Sequence, residues 1–182
     1  MILLPYKGKK PRVSPGAFVA PTATLIGDVV VEEGASIWFG AVLRADLGSI
    51  IVKKGANVQD NAVAHQKQEG GRVFIGENVT IGHGAILHEC TVEKGAIVGM
   101  AAVVLDFAVI GEEAIIAAGS VVAQDTIMPP RHLATGIPAQ VKKEISGVSL
   151  EYVQMSYKIY YDIRDQYLSE GIGRVEESES SG

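Results

Sequence analysis

Along most of this chain an aliphatic side chain returns at every sixth position, and that period limits what the chain can fold into. The series opens with Val19, Leu25, Val31, Ile37 and Leu43, and after a nine-residue step resumes at Val52, Val58 and Ala64. An eleven-residue step leads to Ile75, Ile81 and Leu87, and a five-residue step to Val92. From there it runs unbroken through Val98, Val104, Ile110, Ile116, Val122 and Met128. Of these eighteen positions only Ala64 is small. The residue four places further on is usually small as well, as at Ala23, Ala35, Ala41, Ala96, Ala102 and Ser120. A helix would repeat apolar residues at i, i+3, i+4 and i+7, and a half-buried strand would alternate. A period of six fits neither. It fits a chain that turns a corner every six residues, three corners to a coil, with its aliphatics stacked inside a triangular tube. Corners such as Gly76-Glu77-Asn78 and Gly111-Glu112-Glu113 suit the turning. Eighteen positions at three per coil predict about six coils, each about 4.8 Å from the next.

The fold class expected is therefore mainly β, a parallel β-helix with one α-helix packed along it, in a single domain. Residues 1–18 read as an N-terminal segment and cap, and 19–138 as the repeat, ended by Met128-Pro129-Pro130 because proline cannot donate to a ladder. Ser149 is placed to cap a helix over 149–170, with Gly171 as its stop. The acidic, polar stretch 174–182 is expected to be disordered. Sixteen Lys and Arg against twenty-one Asp and Glu give a net charge of −5, which argues against a nucleic-acid or membrane-surface partner. No apolar run approaches the ~20 residues that span a bilayer. Met-Ile-Leu-Leu-Pro is too short an apolar start for a secretion signal. The single cysteine, Cys90, points to a reducing, cytoplasmic setting.

The register also places the histidines. His65 follows Ala64 and His88 follows Leu87, and 64, 75, 81 and 87 are three corner steps, one full coil. The eleven-residue step must then be a bulged corner, with residues 66–72 looped out. His65 and His88 fall in one column on one face, pointing outward beside inward register residues. Two stacked imidazoles can meet one metal ion through bonds of about 2.0–2.1 Å. His83, two places after Ile81, lies on another face. A threefold homotrimer would bring His83 of one subunit to His65 and His88 of the next. By the same count Arg44 shares the column of His65 and His88, while Asp60 shares that of His83, with Gln59 beside it. His132 reads as an ordinary surface residue.

The segments Arg44-Ala45-Asp46, Val58-Gln59-Asp60-Asn61, His65, Gly82-His83 and Leu87-His88 resemble the γ-class carbonic anhydrases, a branch of the hexapeptide-repeat proteins. The likeness extends through Gly99-Met100 and Thr135-Gly136-Ile137-Pro138-Ala139, over roughly residues 5–170. It implies a left-handed coil and a trimer that shares a metal ion between subunits. That ion would be zinc, with ferrous iron or cobalt as alternatives, held by His65, His83 and His88. It further implies that Gln59 lies near the solvent on the metal and that Arg44, Asp46 and Asp60 form interfacial ion pairs. A helix tyrosine facing the site is expected, and Tyr157 is chosen for it. Where the archetype has acidic residues proposed to shuttle protons, this chain has Leu47 and Gln68, which leaves Glu69 as the substitute.

The chemistry implied is hydration of carbon dioxide, a small-molecule substrate, by hydroxide formed at the metal. Three alternatives share the fold. One is an acyl-coenzyme A-dependent acyltransferase with a histidine base. Another is a thioester hydrolase using the same hydroxide, and the third a metal-stabilised trimeric binding or assembly protein.

Overall fold

The computed structural model describes residues 1–174, and the acidic stretch from residue 175 onward lies outside them. The chain winds as a triangular solenoid of short parallel strands, and each register residue sits over its counterpart one coil away. On the first face the column runs Leu3, Leu25, Leu43, Ala64, Leu87, Val104 and Val122. On the second it runs Val13, Val31, Val52, Ile75, Val92, Ile110 and Met128. On the third it runs Val19, Ile37, Val58, Ile81, Val98, Ile116 and Ala134. From Val19 to Ala134 every one of these side chains is buried.

The coils number seven, one more than the eighteen positions suggest. Leu3 and Val13 start the first coil and Ala134 closes the last, so the N-terminal segment is itself part of the solenoid. Strands Thr24–Val31 and Val42–Val52 run through a corner and fuse the first two faces into one sheet. A hairpin, His132–Gly136 against Ala139–Glu144, ends the third face.

Helix α1, Val148–Ser169, then returns along the tube. Its 22 residues make about 33 Å of helix, close to the ~29 Å spanned by seven stacked coils. It starts one residue before Ser149, so that hydroxyl falls inside the first turn. Gly147 takes the N-cap position and no side chain caps the end. Gly171, at φ +77°, closes the other end: its N–H donates to Leu168 O, and that of Ile172 to Tyr167 O. Three anchors fix the helix. Near its start Gln154 donates to Glu113, and further along the buried Arg164 donates to the carbonyl of Gly34. Tyr160 and Tyr167 pack edge-on against Trp38, with Phe18 and Phe39 around them. No helix among the described residues is long and apolar enough to cross a membrane.

Two outcomes test this account. Ile81→Ala removes a fully buried register side chain between Val58 and Val98, and should cost about 2–5 kcal/mol in chemical denaturation. Glu113 accepts hydrogen bonds from Gln154 and Arg131, and these hold its carboxyl below the ordinary value of 4.5 despite partial burial. Its contribution is present above the ordinary value and lost as pH falls through the lowered one. Melting temperatures of the wild type and Glu113→Gln should differ above about pH 4.5 and converge at lower pH.

Candidate metal centre

The bulged corner brings His65 and His88 together. His65 pairs with His88 across adjacent coils, in the register set by Ala64 over Leu87. Their ring centroids lie 5.5 Å apart on the outside of the first face. Arg44 precedes His65 by one coil in the same column. The extra residues after His65 are tied down from below and beside. The side chain of Glu89, almost fully buried, accepts the N–H groups of Lys67 (2.7 Å) and Gln68 (3.1 Å). Gln66 is completely buried and donates to Ser49 O at 3.1 Å. The nine-residue step of the preceding coil stacks directly on this corner, with Gly48 paired to Gly71. A Cβ on Gly48 would stand 1.8 Å from the Gly71 carbonyl oxygen, so the two insertions nest only because no side chain intervenes.

His83 is elsewhere. It follows Ile81 on the third face, and its N–H donates to Gln59 Oε1 at 3.1 Å. Gln59 in turn donates to Asn57 Oδ1, and Asn57 donates to Thr80 Oγ1. Gln59 is therefore buried with both ends of its amide engaged, holding the backbone of His83. The His83 ring faces Asp60 Oδ2 through Nδ1 (2.8 Å) and the Tyr160 hydroxyl through Nε2 (3.2 Å). Tyr160, and not Tyr157, is thus the helix tyrosine at this histidine. Tyr157 lies one turn of α1 earlier, packs edge-on against Tyr161 at 5.9 Å, and lines a separate hollow with Asn78 and Lys94. Burial, then the nearby Asp60 charge, raise the Tyr160 phenol above its ordinary value, so at neutral pH it keeps its proton.

Each of the three imidazoles meets one carboxylate. His65 Nε2 lies 2.9 Å from Asp46 Oδ1, His83 Nδ1 faces Asp60, and His88 Nδ1 lies 2.5 Å from Asp106 Oδ1. Asp46 also takes the Arg44 guanidinium on its other oxygen. Burial raises the Asp46 carboxyl, but the hydrogen bonds and charges of Arg44 and His65 outweigh it and hold the group below its ordinary value. The Arg44–Asp46 pair is thus closed within one chain, and Asp60 accepts from Phe39 N–H as well as facing His83. Glu69 lines an open cavity of about 390 Å³ together with Asp46 and Leu47, and lies 3.5 Å from Lys7. Asp106 and Lys7 went unread in the sequence. Asp106 carried a faint signal: it stands two places after Val104, the residue directly over Leu87. Among the described residues, no three His, Cys, Asp or Glu side chains converge within one chain to hold a metal ion. The stacked pair and His83 face different ways.

A parallel solenoid of hexapeptide coils with paired imidazoles on one outer wall defines a hexapeptide-repeat protein with a candidate metal site. A carbonic anhydrase of Geobacillus kaustophilus is 39% identical over 170 residues, 93% of this chain and 89% of that protein. Gamma carbonic anhydrase 2, mitochondrial, of Arabidopsis thaliana is 41% identical over 176 residues, 94% of this chain; the chain spans only 63% of that relative. The crystal structure of a hexapeptide transferase family protein from Anaplasma phagocytophilum superposes with a TM-score of 0.88 at 41% identity, covering 91% of this chain and 98% of that one. No protein-family model matches the chain. The chain belongs to the γ carbonic anhydrase family.

Gly48→Ala tests the nesting of the two corners. The added methyl meets backbone rather than a movable side chain, so the variant should lose about 1–3 kcal/mol in denaturant titrations.

Proposed function

We propose that this chain hydrates carbon dioxide to bicarbonate at a divalent metal ion shared between subunits of a homotrimer. His65 and His88 of one subunit and His83 of the next would hold the ion. The observation that carries this reading is the pair of stacked imidazoles, each with one ring nitrogen engaged by a carboxylate and the other left as a lone-pair donor. A carboxylate on one nitrogen fixes the tautomer and raises the basicity of the ligand nitrogen. Imidazole donors suit zinc, iron and cobalt and disfavour magnesium and calcium. The residues present therefore fit such an ion. When bound, it supplies the Lewis acidity that makes hydroxide available near neutral pH for attack on carbon dioxide.

The chain's own residues have separate tasks. Asp46 and Asp60 orient His65 and His83. Gln59 acts through the backbone of His83 and fixes where that ring projects. Tyr160 keeps its proton, and its hydroxyl lies 3.2 Å from His83 Nε2, the nitrogen a metal ion would take while Asp60 holds Nδ1, so the phenol would give up that contact when the ion binds. Glu69 is the carboxylate that can take a proton to solvent from the cavity it shares with Asp46; Leu47 in the same wall cannot. The trimer is supported by the wall itself. Beside the histidine column runs an outward apolar one, Val42, Val63, Ile86, Val103 and Val121, with Val63 and Ile86 exposed in the isolated chain. Apolar residues in register on a flat face favour burial against another copy. Arg44 with Asp46 would be covered by the same contact.

An acyltransferase remains the second reading, because the Anaplasma relative is named a hexapeptide transferase family protein. One histidine base would serve that reaction, so it does not account for three imidazoles each paired with a carboxylate. Metal analysis of the full-length protein separates the two. About one zinc-group ion per chain is expected, and His83→Ala should lose it as completely as His65→Ala although the two lie on different faces. Metal-free wild type with coenzyme A-dependent acyl transfer would favour the second reading. Stopped-flow hydration assays on zinc-loaded and anaerobically iron-loaded protein should show turnover, and flat rates with both would end the anhydrase reading.

A further inference from the structure

We infer that Asp106 is the positioning residue for His88, and that through Lys67 it couples the metal centre to the bulged corner. The inference rests on the metal reading of the three histidines. Asp106 Oδ1 lies 2.5 Å from His88 Nδ1, which leaves Nε2 of that ring as its free donor. The carboxylate comes from the coil after His88, on the residue following Leu105, and its side chain is only 14% exposed. Its second oxygen lies 3.6 Å from Lys67 Nζ. Lys67 belongs to the corner that follows His65, and its ammonium also packs over the Phe107 ring at 5.7 Å. Its backbone N–H is held by Glu89, the neighbour of His88. Lys67 thus reaches from the bulge to the coil above, where it steadies the Asp106 carboxylate. The result is a short chain of contacts: corner ammonium, carboxylate, imidazole.

This arrangement does two things that the Asp46 contact on His65 cannot do. It limits rotation of the His88 ring about its Cβ–Cγ bond, since one nitrogen is bound on the side away from His65. It also ties the distance between the two stacked rings to the corner, because Lys67 lies two residues after His65 while Asp106 holds His88. Outer-shell carboxylates of this kind typically change metal affinity by about 10–100-fold when removed.

The test uses the full-length protein and zinc alone, with affinity read by competition against a chromophoric chelator. Asp106→Ala should weaken zinc binding by about 10–100-fold, while the melting temperature of the metal-free protein stays close to wild type. Asp106→Asn keeps an acceptor of the same shape without the charge, and should recover part of that loss. Lys67→Met should weaken binding less than Asp106→Ala. Equal zinc affinity in wild type and Asp106→Ala would overturn the inference while leaving the shared metal site standing. So would a loss in Asp106→Ala matched by a fall in metal-free melting temperature and no recovery in Asp106→Asn, since that pattern describes a folding defect. Absence of zinc binding by the wild type would overturn the metal reading itself.

Discussion

The candidate centre depends on the in-register parallel ladder, which sets each residue over its counterpart one coil away. His65 and His88 have no contact of their own strong enough to hold two rings at stacking distance. They are held by Ala64 over Leu87, and by Val42, Val63 and Ile86 in the column alongside. A slip of one residue would turn every inward aliphatic outward and carry the histidines into the tube. Burying one such side chain is worth about 1.5–3 kcal/mol, against roughly 0.5–1.5 for a typical net hydrogen bond. The register is therefore enforced by the whole stack of buried residues and only trimmed by the polar contacts at the site. Insertions are tolerated where they nest at a corner, as the 43–52 and 64–75 steps do at Gly48 and Gly71.

Much of this could be read from the sequence because a period of six has no competing explanation. Columns on all three faces follow from counting corners, and the count crosses the eleven-residue step correctly because unambiguous register lies on both sides of it. The ends were harder. Leu3 and Val13 are ten residues apart and flanked by repeat on one side only, so the first coil looks like a cap. Ala134 follows Met128 by the usual six, but Pro129 and Pro130 argue for a break. At Gly111, the counterpart of Pro129 one coil earlier, the backbone N–H donates forward to the carbonyl of Met128. The last coil has no further coil to donate to, so two prolines there remove no ladder bond.

The helix shows a different limit. Tyr157 and Tyr160 are three residues apart and share one broad face of α1, so periodicity cannot rank them. Their separation is set by how the helix is rotated on the tube. That rotation comes from contacts far apart in sequence: Arg164 on the Gly34 carbonyl, and Tyr160 and Tyr167 against Trp38. The same distance in sequence hides Asp106. A carboxylate two places after a register residue is common along this chain, and only the coil above His88 makes this one meet a ring nitrogen.

The shape of the solenoid also explains why the fold says little about chemistry while the outer positions say more. Inward residues must be aliphatic in any tube of this width, so the repeat is shared by proteins with different reactions. Residues one place further on point away from the axis, and on a convex triangular prism side chains from different faces diverge. A constellation of three ligands from two faces therefore cannot close on its own chain. It needs a concave setting, and the simplest one is the groove between two prisms set side by side. In that groove a stacked pair on one wall can face a single ring on the other. Each wall needs only to orient its own rings, and the carboxylates on this chain stand where such orientation is required.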